Sequence, residues 1–158
     1  MNWDSFPDHS RIWIYYSKDP FSENEKEEAT KLLYQFCTDW TAHNQALFAT
    51  ARIFYDRFLV LMVDESKAGA SGCSIDKSVS FVKMLGQKYH KDLFNRMIFS
   101  YIDGDKVFSL DQKEFKEAFA SNLINDDTKV FDHLVATKKD FDTNWMKPLK
   151  ESWHKRLV

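Results

Sequence analysis

A single segment of the chain concentrates residue types that can bind a phosphate or act as a nucleophile. Residues 69–78 read Gly-Ala-Ser-Gly-Cys-Ser-Ile-Asp-Lys-Ser and lie between a hydrophobic stretch and a helical pattern. Phosphate-binding loops occupy such strand-to-helix turns, but a Walker A loop needs a glycine immediately before Lys-Ser or Lys-Thr. Four residues separate Gly72 from Lys77, so the spacing excludes a loop of that type.

Two interpretations of this turn stay open. The unpaired backbone N–H groups at the start of the helix could bind an anionic ligand, with Ser71, Gly72, Ser74 and Lys77 around it. Alternatively, Ser71 or Ser74 caps the helix, because serine is a preferred N-cap residue. The sequence favours the capping interpretation.

Cys73, in the same turn, is the candidate nucleophile. A helix N-terminus stabilises a thiolate, and a histidine within reach would serve as its base. His43 is the candidate base, and Trp40 is a candidate wall of the same site. The alternative, which the sequence favours, makes Cys73 a small residue in a tight turn, while Cys37 lies on the apolar face of a helix and belongs to the core.

The histidines and cysteines predict neither a metal site nor a cofactor. The five histidines show no H-x-x-x-H or H-E-x-x-H spacing, and the two cysteines, Cys37 and Cys73, are far apart. Zinc sites usually show such paired ligands at short spacing.

The elements that position these residues follow the order β-α-β-β-α-β. A β-branched and aromatic run predicts the first strand, and a capping-box pattern at Ser22 and Glu25 opens an amphipathic helix. Asp103-Gly104-Asp105 predicts a hairpin turn. The predicted strands cover residues 11–16, 51–55, 58–63, 97–102 and 106–110, with a second helix after residue 72. This order is that of the ferredoxin-like fold, an α+β class.

The first and third predicted strands are apolar on both faces, whereas two helices can cover only one face of their sheet. Large apolar faces are rarely left bare. We therefore expect a C-terminal extension, residues 111–158, or a second copy of the chain in a homodimer, to cover the other face. The extension is predicted to hold a short helix, a strand over 129–135 and a helical segment interrupted by Pro148. We predict one domain, 1–158, with its ferredoxin-like core at 11–110.

Composition narrows the classes of partner. The chain has 158 residues and a net charge of −2, which gives no general attraction to nucleic acid or to anionic membranes. Trp13 and Tyr15 could stack on RNA bases, but residues 57–62 lack the glycine-aromatic pattern of RNA-binding sheets. The longest apolar run, residues 58–63, is far shorter than the ~20 residues of a membrane helix. With two cysteines and no signal-peptide pattern, we expect a cytoplasmic protein.

Six stretches carry a further resemblance. They are residues 10–15 (Ser-Arg-Ile-Trp-Ile-Tyr), 40–44 (Trp-Thr-Ala-His-Asn), 57–60 (Arg-Phe-Leu-Val), 63–65 (Val-Asp-Glu), 70–78 and 151–156 (Glu-Ser-Trp-His-Lys-Arg). In these stretches the chain resembles a small family of uncharacterised bacterial proteins, whose members often carry the label "ABC transporter ATPase". The sequence lacks both a Walker A loop and a Leu-Ser-Gly-Gly-Gln signature, so the resemblance implies no ATPase activity.

The sequence therefore supports two hypotheses. The leading one is a non-catalytic cytoplasmic protein that binds a small ligand or a protein partner at the Ser71–Lys77 turn. The alternative is a cysteine-dependent enzyme or redox protein that uses Cys73.

Overall fold

A computed structural model describes residues 2–158 and shows an α+β fold, as the sequence predicts. The strands are β1 (Arg11–Tyr16), β2 (Thr41–Ala42), β3 (Gln45–Ala46), β4 (Phe48–Phe54), β5 (Phe58–Asp64), β6 (Ile98–Asp103), β7 (Lys106–Asp111), β8 (Lys129–Phe131) and β9 (Met146–Pro148). The α-helices are α1 (Glu23–Asp39), α2 (Gly72–Lys88), α3 (Gln112–Ala120) and α4 (Lys138–Asn144). Short 3-10 helices cover Trp3–Ser5, Leu149–Glu151 and Trp153–Leu157.

Three of the helices begin with a reciprocal capping box. In α1, the Ser22 hydroxyl accepts from the Glu25 N–H while the Glu25 carboxylate accepts from the Ser22 N–H. Asp111 and Glu114 do the same for α3. These bonds satisfy N–H groups that a helix start leaves without partners, so the short polar patterns fix where the helices begin.

The first sheet has the strand order β1-β5-β4, with both pairs antiparallel. Helix α1 connects β1 to β4, and β5 lies between these two parallel strands, which is the split β-α-β arrangement. Tyr55 and Asp56 have φ of 51° and 61° and form the hairpin turn, one residue earlier than residues 56–57, which separate the two predicted strands. Positive φ at two consecutive residues is typical of the primed turns that match strand twist.

The fourth strand departs from the ferredoxin-like expectation. Strand β6 joins a second sheet of order β7-β6-β8-β9, in which both of its edges are paired. It therefore has no free edge for β1, and the predicted four-stranded sheet does not form. The second sheet also joins strands from before and after residue 110, so the predicted boundary between core and extension runs through it.

Both faces of the first sheet are covered, as their apolar pattern predicts. On one face, β1, β4 and β5 pack against α1 and α2, with Leu33, Val82 and Leu85 buried between them. On the other face, Phe131 and Trp145 of the C-terminal part pack against the sheet. A third cluster packs α3 and the C-terminal turns on the second sheet.

Candidate functional site

The predicted turn at the start of α2 is occupied by helix capping. The Ser71 hydroxyl accepts from the Ser74 N–H, and the Ser74 hydroxyl lies 2.7 Å from the Ser71 nitrogen. Trp40 is 2% exposed, and its indole N–H donates to the Ser74 carbonyl at 2.9 Å. Gly72 and Lys77 lie in the exposed part of the helix start. The structure thus gives the two serines their capping role, and Trp40 ties the end of α1 to α2 instead of lining an open site.

The predicted dyad of Cys73 and His43 is not assembled as a hydrogen-bonded pair. Cys73 is exposed in the first turn of α2. His43 lies with Asn44 at the tip of the β2–β3 hairpin, where φ is 51° and 64°. Within residues 2–158, the Cys73 thiol forms no hydrogen bond with a histidine.

A cavity of about 550 Å³ lies elsewhere, beside the outer edge of β1. Its wall combines the whole of β1 with the start of β6, the chain just after β8 and the C-terminal 3-10 helix. It occupies the side of β1 where the ferredoxin-like fold would place a fourth strand. The departure of β6 into the second sheet therefore creates this cavity.

The first half of the β1 edge is closed by backbone pairing. The Ile12 N–H donates to the Ala136 carbonyl at 2.9 Å, and the Lys138 N–H donates to the Ser10 carbonyl at 2.9 Å. Strand alternation directs the main-chain groups of Ile14 to the same side as those of Ile12. The second half of the edge therefore presents backbone polar groups to the cavity.

Arg96 stands between this strand edge and solvent. It lies in the segment before β6, is exposed, and lines the cavity. One guanidinium N–H donates to the Ile14 carbonyl at 3.3 Å, and the guanidinium carbon lies 5.7 Å from the centre of the Tyr16 ring. Within residues 2–158, Arg96 forms no ion pair. Its positive charge is therefore available to a ligand.

His133 contributes a buried donor to the cavity wall. Its Nδ1 accepts from the Trp145 indole N–H at 3.2 Å, so the proton of the neutral ring is on Nε2. The ring stacks on Tyr16, with 4.0 Å between centroids. The residue keeps some solvent exposure, but Nε2 is buried and has no hydrogen-bond partner among the described residues. Buried polar groups nearly always have partners, so an unpaired one indicates a missing ligand or water.

Burial holds His133 in the neutral form. It lowers the pKa of His133 to about 3, with smaller contributions in the same direction from His154 and Arg96, while Asp132 opposes them. At neutral pH the ring is an uncharged donor. Such a donor suits an oxygen acceptor of a ligand without adding a charge to the site.

His154 and Trp153 close the cavity from the C-terminal side. His154 is 1% exposed, and its Nδ1 lies 2.6 Å from the Ser152 hydroxyl. Burial lowers the pKa of His154 to about 4. Its ring stacks on Trp153 at 3.9 Å, and the Trp153 indole N–H donates to Asp132 at 3.1 Å. Asp132 also bonds Lys147 at 2.9 Å, so an ion pair behind the wall fixes these rings.

Sequence reasoning did not predict this site. Arg96 and His133 belong to no motif, and they come to one edge because β6 and β8 pair antiparallel, which places the start of one beside the end of the other. The strand predicted over 129–135 ends at Phe131. Arg96 and His133 are single polar residues next to strand ends, which is a weak sequence signal for a site. The sequence does not show which strands pair, so it could not predict that these two residues share one cavity.

The described residues contain no group of three or more histidine, cysteine or acidic side chains that could hold a metal ion. Among residues 2–158, no helix combines the length and apolar character required to cross a bilayer.

Comparison with known proteins finds no match to a family model, to a curated protein or to a solved structure.

Proposed function

We propose that this protein binds a small organic molecule in the cavity beside β1. The observation that carries the proposal is the buried His133 Nε2–H, which has no partner among the described residues although it lies in the wall of a cavity of about 550 Å³. Ligand sites are mostly apolar cavities of roughly 300–1,000 Å³ with a few placed polar groups. Arg96 and His133 are such groups, and rings and aliphatic side chains form most of the remaining wall.

The proposed function is of the class that the sequence suggests, a binding protein. The proposed site, however, is the cavity beside β1 and not the Ser71–Lys77 turn. The Ser71–Lys77 turn uses its serines for capping, whereas the β1 cavity offers donors that the described residues leave unused. The cytoplasmic location and the family resemblance stay predictions from the sequence. The resemblance is compatible with this proposal because it implies no ATPase activity.

The proposal is tested with a library of small aromatic compounds, screened by saturation-transfer NMR against the wild type and Ala136→Phe. Ala136 is an exposed residue of the cavity wall whose part in β1 pairing is made by its backbone. A phenyl ring there narrows the cavity without removing a backbone bond. We expect compounds that bind the wild type and fail to bind Ala136→Phe.

Ala46→Phe is the matched control, since Ala46 is exposed in β3 and does not line the cavity. It should bind the same compounds as the wild type. If every compound that binds does so equally in all three proteins, the cavity is not the ligand site and the proposal is wrong.

A second candidate function rests on Cys73. Its exposure in the first turn of α2 makes the thiol accessible to a substrate or an oxidant. The pH dependence of Cys73 alkylation tests this candidate.

A further inference from the structure

The charges on the cavity wall all have one sign. Among the described residues, the wall holds two arginines, Arg11 and Arg96, two histidines, and no aspartate or glutamate. The chain as a whole is slightly acidic, with 24 acidic and 22 basic residues. The wall is therefore positively charged in a chain that is slightly acidic, and it favours a negatively charged ligand.

The two arginines are not equivalent. Arg11 lies 4.0 Å from Glu65 and stacks on the Trp13 ring at 4.7 Å, so its charge is partly compensated. Arg96 has no carboxylate partner within residues 2–158; one N–H donates to the Ile14 carbonyl, and the guanidinium also interacts with the Tyr16 hydroxyl. A guanidinium carries five N–H donors. Arg96 therefore keeps donors for a bidentate bond to an anion, and one uncompensated cation suits one negative charge.

His133 adds a donor but no charge. The ring is neutral at pH 7 and offers Nε2–H, as its bond from Trp145 requires. Both groups lie against the Tyr16 ring, whose centre is 4.0 Å from the centre of the His133 ring and 5.7 Å from the guanidinium carbon of Arg96. A ligand oxygen that reaches both groups would satisfy the buried N–H.

The rest of the wall is apolar. Ile98 and Phe99 come from β6, and Leu134 and Val135 follow β8. Leu134 is 74% exposed, the highest exposure among the large apolar side chains of the described residues. These side chains would contact an apolar body attached to the anionic group.

We infer that the ligand is a small organic monoanion, a carboxylate on an apolar body, with Arg96 binding the carboxylate and the His133 Nε2–H donating to a ligand oxygen. This inference rests on the proposed function and specifies its ligand class. Planar carboxylates match the guanidinium fork in geometry as well as in charge.

The test compares 1-naphthoate with 1-naphthalenemethanol, a neutral compound of nearly the same shape, by isothermal titration calorimetry. The wild type should bind the naphthoate, and the alcohol should bind about tenfold or more weakly because it lacks the charge-assisted bond. Arg96→Gln should weaken naphthoate binding by about tenfold or more and leave alcohol binding unchanged. Arg96→Lys keeps the charge and loses the fork, so we expect an intermediate loss.

Arg52→Gln is the matched control. Arg52 is exposed on β4, at the opposite edge of the first sheet from β1, and should leave naphthoate affinity within about twofold. Urea unfolding of Arg96→Gln confirms that the variant is folded.

The outcomes separate this inference from the proposed function. If the alcohol binds as tightly as the naphthoate and Ala136→Phe abolishes both, the cavity binds ligands without selecting an anion, so the inference is overturned and the proposed function stands. If naphthoate binds equally to the wild type, Arg96→Gln and Ala136→Phe, the inference is wrong. If, in addition, no library compound distinguishes the wild type from Ala136→Phe, the proposed function fails too.

Discussion

Burial of the two cavity histidines links the stability of the protein to pH. The pKa of His133 is lowered to about 3 and that of His154 to about 4, whereas an unfolded histidine titrates near ~6.5. Between these values the unfolded chain binds more protons than the folded one. The free energy of unfolding therefore falls as the pH drops below about 6.5, and at pH 5 the loss is on the order of 2 kcal/mol per histidine.

We expect urea unfolding to show this loss between pH 7 and pH 5. His133→Phe keeps an aromatic ring in the stack and removes one titrating group, so the change in unfolding free energy across this pH interval should become smaller. His90→Asn removes an exposed histidine, and the change in unfolding free energy between pH 7 and pH 5 should be the same as in the wild type. A pH dependence that is identical in the wild type and His133→Phe would contradict the neutral, buried state of His133.

The two cysteines should differ sharply in reactivity. Burial raises the pKa of the Cys37 thiol to about 12, while Cys73 is exposed. We expect iodoacetamide to add one label to the folded protein, at Cys73, and a second only after unfolding, because the thiolate is the reactive form. Intact mass and peptide mapping measure both events, and labelling of Cys37 in the folded protein would contradict its burial.

The pH at which Cys73 reacts tests the second candidate function. Half-maximal alkylation well below ~8.5 would show a stabilised thiolate and support a cysteine-dependent enzyme or redox protein. Reaction at the pH of an ordinary thiol would leave Cys73 as an exposed turn residue.

At the scale of elements, the end of α2 depends on close approach of the following chain. A Cβ at Gly86 would lie 2.6 Å from the Lys91 carbonyl oxygen, and the Lys91 N–H donates to the Gly86 carbonyl at 2.8 Å. Gly86→Ala must displace this backbone, and we expect a loss of about 1–3 kcal/mol in urea unfolding. Gly72→Ala has open space and should be neutral or stabilising by up to about 1 kcal/mol, although it also lies in α2. Equal effects of the two substitutions would contradict the close approach at Gly86.

The elements that depend on local patterns were predictable. Strand β1 covers the predicted residues, and α1 begins after Ser22 because its capping partner is three residues away in the chain. In α2, by contrast, Ser74 and Ser78 are fully buried, whereas the apolar residues Ile75 and Val79 are only half-buried. Ser78 lies beside the Tyr15 hydroxyl and Ser74 belongs to the capping box, so these two serines are buried for polar contacts that an apolar periodicity does not reveal.

The second sheet and the candidate site could not be predicted from the sequence, because both depend on pairing between strands that are distant in the chain. The pattern of β6 predicts a strand correctly, but its partners β7 and β8 take both of its edges and leave β1 with an open one. The candidate site depends on that difference, because Arg96 and His133 are 37 residues apart and meet through the second sheet.

Tyr15, an RNA-stacking candidate from the sequence, is 4% exposed and belongs to the core.

At the scale of the whole molecule, Arg57 joins the first sheet to the second. It follows the β4–β5 turn, and its guanidinium donates to the Ser109 hydroxyl at 2.9 Å and to the Val107 carbonyl at 3.1 Å, both in β7. A third bond reaches the Lys18 carbonyl at 2.9 Å. Three acceptors on two segments explain why a half-buried arginine lies there, since a rigid fork can serve them all.

Arg57→Lys keeps the positive charge, but an ammonium group can donate to only some of the three acceptors. We expect a loss of about 1–3 kcal/mol in the free energy of unfolding, because part-buried acceptors lose their donors. Arg52→Lys, on the exposed face of the same hairpin, should change it by less than about 0.5 kcal/mol. Because the lost bonds lie between the sheets, hydrogen exchange in β7 should accelerate more than exchange in β5.

A double-mutant cycle with Ser109→Ala tests the link directly. If Arg57 acts through Ser109, the two substitutions are non-additive by about 0.5 kcal/mol or more. Additive losses, with equal acceleration of exchange in both sheets, would mean that Arg57 stabilises its own hairpin. The sheets would then be held together by their other contacts, and the cavity between β1 and β6 would owe its width to those contacts.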